Sequence, residues 1–558
     1  MRAFPTIAAA AEAFLTEYCA MYPRERALYN YFPGGAAHFG IHTGAGKVPD
    51  YRPEAVAARL RAVAEWHESF GTLEPLVRDD NDRLDLAIMR WIADAEHFAL
   101  AELQPHRTVP AHYASSVDIT HYLRRDYAPR DERLRGLVEQ LEQVPGVLAV
   151  ARENLDTPIA APILEYSRGA FAGHAAFIGD DLLALVADAS DVALRERIAA
   201  AAHRAVAAIE DFERFLDTKE SDAATASFAI GEERFLGLLR TFEQVDLSLA
   251  ELKRHGQADL ARNQARLREV CAQIDPDADP FTVIAGLRRD HPPADGLVPA
   301  TAALLESLRS FLIERDLVGV PSEVRCAVEE IPPFFKWAFA MMDYPGGLDR
   351  EDAGAYYWVN SPDPAWPAAD QEAWMARYTY PALANLSAHE AYPGHYLQSI
   401  HNHHAPTTLA KCFGAFTHWE GWAHYCEELM VEAGYLDGDP AFQVAQLQGA
   451  LLRDARYLVA IGLHCEEMTI EEATTLIMEA TQLARLPAAR EAMRGAFDPG
   501  YGCYTLGKLL VKQLRRDAER EWGADFSLRR FHDALLAHGS PPLAILRPRL
   551  LKEASQLL

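Results

Sequence analysis

Residues 387–398 read Ser387-Ala388-His389-Glu390-Ala391-Tyr392-Pro393-Gly394-His395-Tyr396-Leu397-Gln398. A glutamate follows the first histidine directly and a second histidine comes six positions on, two residues longer than H-E-x-x-H, the helical spacing that aims two imidazoles at one ion. At 3.6 residues per turn, positions i and i+4 lie about 40° apart around a helix, whereas i and i+6 lie about 120° apart. An unbroken helix would point one ring away. Pro393 removes a backbone donor and Gly394 opens conformations closed to other residues, so a bulge or break at Pro393-Gly394 is predicted, with helix on either side.

Two imidazoles need a third ligand. The segment from Phe416 to Glu428 begins a second helix, and Glu420 falls 25 residues after His395. Two antiparallel helices joined through residues 401–413 would turn Glu420 toward the histidines. Three nitrogen and oxygen ligands leave a fourth position for water, as hydrolytic zinc requires, and Glu390 is placed to take that water's proton. His424 and Glu427 follow Glu420 at i+4 and i+7, on the same face, and are candidates to hydrogen-bond a ligand. His401, His403 and His404 read as an exposed helix end, where the dipole favours histidine, rather than as a second metal site.

The strings HEAYPGHYLQ (389–398) and EGWAHYCEEL (420–429) together closely resemble the signature pair of a bacterial family known as domain of unknown function 885. That family is similar in turn to the helical gluzincin metallopeptidases. Two further segments, IGEERF (230–235) and PGYGCYTLG (499–507), look like family segments, and the resemblance covers most of the chain. It implies zinc, one per chain, held by His389, His395 and Glu420, with Glu390 as general base or acid. It also implies that Tyr504 stabilises the oxyanion, with Tyr501 as the alternative. Gln398, within the family string, is read as orienting His395 or a loop. Tyr356-Tyr357-Trp358-Val359-Asn360 reads as a strand of alternating exposure, and in helical gluzincins a short edge strand beside the metal pairs with peptide backbone, which makes Tyr357 and Asn360 candidates to face substrate.

The remaining sequence sets the frame. Apolar positions such as Leu60, Val63, Trp66 and Phe70 recur at helical intervals, as do those of Leu84–Leu103, Leu134–Val150, Val192–Leu216 and Phe235–Val270. A loop-rich stretch runs from Ile331 to Pro367 before helical texture returns. The expected fold is mainly α, a large helical gluzincin-like unit with a cleft and a short strand element near the metal. Residues 1–330 would wall the cleft and residues 331–558 carry the site, as one integrated unit.

Across 558 residues, 81 Asp and Glu against 54 Lys and Arg give a net charge of −27, a field that repels phosphate backbones and anionic lipid. Nucleic acid and membrane partners are therefore not expected. The acidic residues Glu12 and Glu17 interrupt the Ala-rich start, which reads as an amphipathic helix, and no run of about 18 apolar residues is found. Seven cysteines, odd in number and without a C-x-x-C pair, suggest reduced thiols in a cytoplasm. The reading is a zinc-dependent hydrolase of a peptide or amide bond. Its rival is a metal-dependent enzyme acting on a small nonpeptide metabolite with iron or manganese; a nonenzymatic binding protein would not need His389, Glu390, His395 and Glu420 together. Oligomeric state is left open.

Overall fold

The computed structural model describes residues 2–23, 36–37, 44–124, 126–155, 158–219, 226–332, 336, 338–552 and 558. It is mainly helical, with 70% helix and 3% strand. The first helix, Ile7–Met21, is capped by the Thr6 side chain and buries Ile7, Ala10, Phe14 and Tyr18 on one face.

Two of the long periodic stretches are broken where capping chemistry outweighs periodicity. The stretch Phe235–Val270 divides into Glu232–Phe242 and Leu249–Ile274, because Ser248 and Glu251 form a reciprocal capping box that starts a new helix. The stretch 134–150 also divides, into Arg130–Leu141 and Val144–Asn154, where Pro145-Gly146 punctuates the sequence, with Pro145 in the first turn of the second helix. A further difference concerns Ala294–Glu314, a helix long and apolar enough by length and composition to cross a membrane. Its Leu and Ala content raises the average, although Glu306 and Arg309 interrupt any unbroken apolar run. Leu297, Leu305, Leu308 and Leu312 of this helix lie in the core.

The cores do not divide at residue 330. The largest joins residues from Ile7 to Leu551 and includes the helices that bear the candidate ligands. A second, from Tyr51 and Val109 to Leu216, forms a helical lobe that Phe497 enters, and Phe497 stacks on Tyr166 at 3.9 Å. The helices of the first half thus complete the core of the second half.

The strand Tyr356–Val359 forms as expected but is central rather than an edge. It pairs parallel with Ala327–Glu330 and antiparallel with Ala340–Asp343. Its exposure does not alternate either, since Tyr357, Trp358 and Val359 are all buried. Both neighbours lie distant in sequence, so local pattern could not reveal that both faces and both edges would be covered.

Four helices frame the site: Tyr380–Glu390, Phe416–Glu432, Pro440–Cys465 and Cys503–Trp522. Phe416–Glu432 and Cys503–Trp522 meet glycine on glycine: a Cβ on Gly421 would stand 2.4 Å from the Gly507 backbone, and one on Gly507 1.9 Å from the Thr417 carbonyl. Behind this contact, buried Lys508 pairs with Asp259 of Leu249–Ile274 at 2.5 Å. Asp454 there accepts from Asn263 at 2.7 Å and from Thr505 at 2.9 Å. Buried polar groups so matched hold helix register, because leaving one partner unpaired costs about 3–5 kcal/mol.

Candidate metal centre

The helix Tyr380–Glu390 opens on Thr379, whose hydroxyl accepts from Ala382 N, with Pro381 in the first turn. It stops immediately after Glu390, and the next helix, His395–His403, starts at the second histidine. Between them the chain folds back on itself: Gly394 N–H donates to the Ala388 carbonyl at 2.9 Å and Leu397 N–H to the Ala391 carbonyl at 3.1 Å. A Cβ on Gly394 would lie 1.7 Å from the His389 carbonyl oxygen, so only glycine permits this approach. Trp422, fully buried on Phe416–Glu432, donates its indole N–H to the Pro393 carbonyl at 2.9 Å and fastens the turn.

The break brings His395 back beside His389, their rings edge to face at 4.8 Å. Glu420 completes the group: its Oε2 lies 3.4 Å from His389 Nε2 and 3.4 Å from His395 Nε2. All three donor atoms fall within 4.8 Å of one another. Two ligands of a tetrahedral zinc, each about 2.0–2.1 Å from the ion, stand roughly 3.3 Å apart.

The hydrogen bonding shows why this group suits a cation. His389 Nδ1–H donates to Glu427 Oε1 at 2.8 Å, and since a carboxylate only accepts, the ring proton is there. His389 Nε2 faces Glu420 Oε2, an oxygen buried from solvent. Burial works against a charged His389, yet hydrogen bonding to Glu420 and Glu427 raises it to about 9. Burial likewise opposes a charged Glu420, but the charges and hydrogen bonds of the two histidines hold its carboxyl well below the usual range. The pocket thus favours positive charge between these atoms, and the donor set fits a divalent metal.

Glu427 is fully buried and ionised. Burial opposes its charge, but the Arg453 cation and hydrogen bonding from His389 outweigh that, and Arg453 Nη2 lies 3.0 Å from Glu427 Oε1. Asn385 Nδ2 donates to its other oxygen at 3.1 Å. His424 Nδ1 stands 3.5 Å from Glu427, and burial followed by the charge of Lys508 pushes His424 down to about 3, leaving it neutral.

Glu390 is half-buried and makes no hydrogen bond to the described residues; burial, opposed by the two histidines, raises its carboxyl above the ordinary range. Tyr504 lies against the same group, its ring stacked at 6.5 Å from that of His389. Burial, then the charge of Glu420, pushes its phenol up to about 12, so it is protonated at neutral pH.

Of the other predicted residues, Tyr501 is fully buried with its hydroxyl against Gly495. Gln398 donates to Ser540 Oγ at 3.2 Å and so ties a loop. Tyr357 is fully buried, its hydroxyl 3.5 Å from Ser387 Oγ and near enough to Glu390 that burial and then the charge of Glu390 raise its phenol. The Asn360 amide donates to the carbonyls of Lys336 and Ala338 at 2.9 and 2.7 Å, a loop fastening. His401 is buried against the Gly319 carbonyl at 2.9 Å, not exposed as expected, whereas His404 is exposed beside Glu351.

Sequence reasoning missed Arg453, Asn385, Arg456 and Arg494. One signal was present: Leu451-Leu452-Arg453-Asp454-Ala455-Arg456-Tyr457-Leu458 sets three charges inside an apolar helix, where charged groups persist only when paired.

No curated protein matches the chain. Two solved structures share its fold. One is a provisionally assigned lipoprotein of unknown function from Shewanella oneidensis, 22% identical, with a TM-score of 0.81 over 98% of this chain and 100% of that one. The other is a provisionally assigned lipoprotein from Colwellia psychrerythraea, 17% identical, with a TM-score of 0.79 over 98% of this chain and 99% of that one. Residues 33–550 match the model of the family described as Bacterial protein of unknown function (DUF885), and the chain belongs to that family.

Proposed function

We propose that His389, His395 and Glu420 bind one zinc ion and that the protein hydrolyses a peptide or amide bond, in the manner of the gluzincins its signature resembles. The observation that carries this reading is the convergence of His389 Nε2, His395 Nε2 and Glu420 Oε2 within 4.8 Å of one another, at separations suited to ligands of one ion. When bound, zinc would acidify a water molecule and polarise the substrate carbonyl. Glu390, adjacent to a ligand and hydrogen-bonded to none of the described residues, takes the proton of the attacking water. It then returns that proton to the leaving amine as the C–N bond breaks. Tyr504 keeps its proton and donates it in a hydrogen bond to the carbonyl oxygen as negative charge develops. Glu427 holds the His389 proton on Nδ1 and thereby keeps Nε2 free for the metal.

Elemental analysis tests the site. Purified protein is expected to carry about one zinc per chain and His389→Ala to carry none; equal zinc in both would sink the ligand assignment. The same donor set also suits iron or manganese, and finding either in place of zinc would favour chemistry on a small nonpeptide metabolite.

Glu427→Gln offers a finer test. A neutral amide is a weaker acceptor for the His389 proton and loses the pairing with Arg453, so zinc affinity should fall by about 10–100-fold. Competition with a chromogenic chelator measures this, and an unchanged affinity would separate Glu427 from metal binding.

We also propose a reducing compartment, on the seven cysteines that are all free. The lipoprotein designation of the two fold neighbours points instead to an envelope location, and cell fractionation decides between them.

A further inference from the structure

Three arginines surround Tyr504, and they are not equivalent. The guanidinium of Arg453 lies 5.6 Å from the centre of the Tyr504 ring and that of Arg456 5.7 Å. Arg494 stands 5.8 Å from the centre of the Tyr501 ring and, by charge and by hydrogen bonding, opposes the rise of the Tyr504 phenol. The first two are committed to carboxylates. Arg453 pairs with Glu427 at 3.0 Å, and Arg456 grips Glu491 with two bonds of 2.8 and 2.9 Å.

Arg494 differs in two respects. Its nearest carboxylate oxygen among the described residues, on Asp498, lies 3.5 Å away, too far for a good hydrogen bond. Its side chain also keeps 29% of its exposure, against 14% for Arg453 and 12% for Arg456. A guanidinium carries five donors in a planar fork, and among the described residues those on Arg494 meet the Tyr504 hydroxyl and, at 3.5 Å, Asp498.

We infer that Arg494 receives the free carboxylate at the carboxyl-terminal end of a peptide, so that the enzyme removes residues from that end. The inference rests on the hydrolase reading and narrows its substrate class. A carboxylate is the anion whose two oxygens match the guanidinium fork. Tyr504 links the two places, since its ring stacks on His389 while its hydroxyl interacts with Arg494.

Two libraries of acetylated, sequence-randomised pentapeptides, identical except that one ends in a carboxylate and the other in an amide, provide the test. Zinc-loaded Glu390→Gln protein is mixed with each, and retained peptides are counted by mass spectrometry after ultrafiltration. Retention of the acid form is expected to exceed that of the amide by about tenfold or more. Arg494→Met should abolish that preference without changing retention of the amide. Arg494→Lys, which keeps the charge but not the fork and guards against a misfolded Met variant, should show an intermediate preference. Equal retention of both forms, retention of neither, selection for Asp or Glu side chains whatever the terminus, or equal loss of both forms in the two variants would each overturn the proposal. Cleavage by the unaltered protein is scored separately: zinc-loaded enzyme that cuts neither library removes the hydrolase reading, while the retention ratio still reports on Arg494.

Discussion

Zinc-loaded Glu390→Gln protein is expected to keep its full metal content and to turn over peptide substrate at least ~100-fold more slowly than the unaltered chain. The two halves of this result have separate causes. Metal content is preserved because Glu390 is not one of the three clustered donors; His389, His395 and Glu420 bring their atoms together without it. Turnover falls because glutamine has nearly the same shape but no basic oxygen, so the attacking water loses its proton acceptor and the leaving amine its donor. Nothing else described is placed to substitute. Glu427 is buried behind His389 and already accepts from that ring and from Asn385, and Tyr504 is protonated at neutral pH. Turnover of the pentapeptide libraries by mass spectrometry, beside elemental analysis of the same sample, measures both halves. Activity within about tenfold of the unaltered enzyme would remove Glu390 from the mechanism.

How much of this site could be read from sequence depended on the range of the interactions involved. The break between the histidines was legible because its causes, Pro393 and Gly394, sit inside the string itself. Glu420 was legible because helical geometry and a short connection limit where the next helix can point. Arg453 and Arg494 were not, since they reach the site from 64 and 105 positions beyond His389 and no local pattern records that meeting. The strand Tyr356–Val359 shows the same division. Its aromatic and β-branched residues predict extended chain, but its central place depends on partners at 327–330 and 340–343. The capping box of Ser248 and Glu251 is a local signal, and it starts a new helix inside a hydrophobic period that runs on through it.

The backbone between the histidines supports the second large effect. Gly394→Ala is expected to abolish zinc binding and to destabilise the fold by about 3 kcal/mol or more. The obstacle is main chain: the new methyl would stand 1.7 Å from the His389 carbonyl oxygen, 2.4 Å from its carbon and 2.6 Å from the Ala388 carbonyl oxygen. No rotamer relieves a clash with backbone. Relief requires the turn to open, and the turn is what returns His395 to the side of His389 after an angular error of about 120°. Opening it would also pull the Pro393 carbonyl from the Trp422 indole, leaving a buried donor unpaired at a cost of about 1–3 kcal/mol. Gly146→Ala is the matched control, because an added methyl there meets nothing within 4 Å and lies in the helix Val144–Asn154. It should stabilise slightly, by about 0.5–1 kcal/mol, through reduced freedom of the unfolded chain and better helix propensity. Denaturant melts of both variants with and without zinc measure the contrast, and a Gly394→Ala protein that melts like the unaltered chain and retains its zinc would show that the close turn does not assemble the ligands.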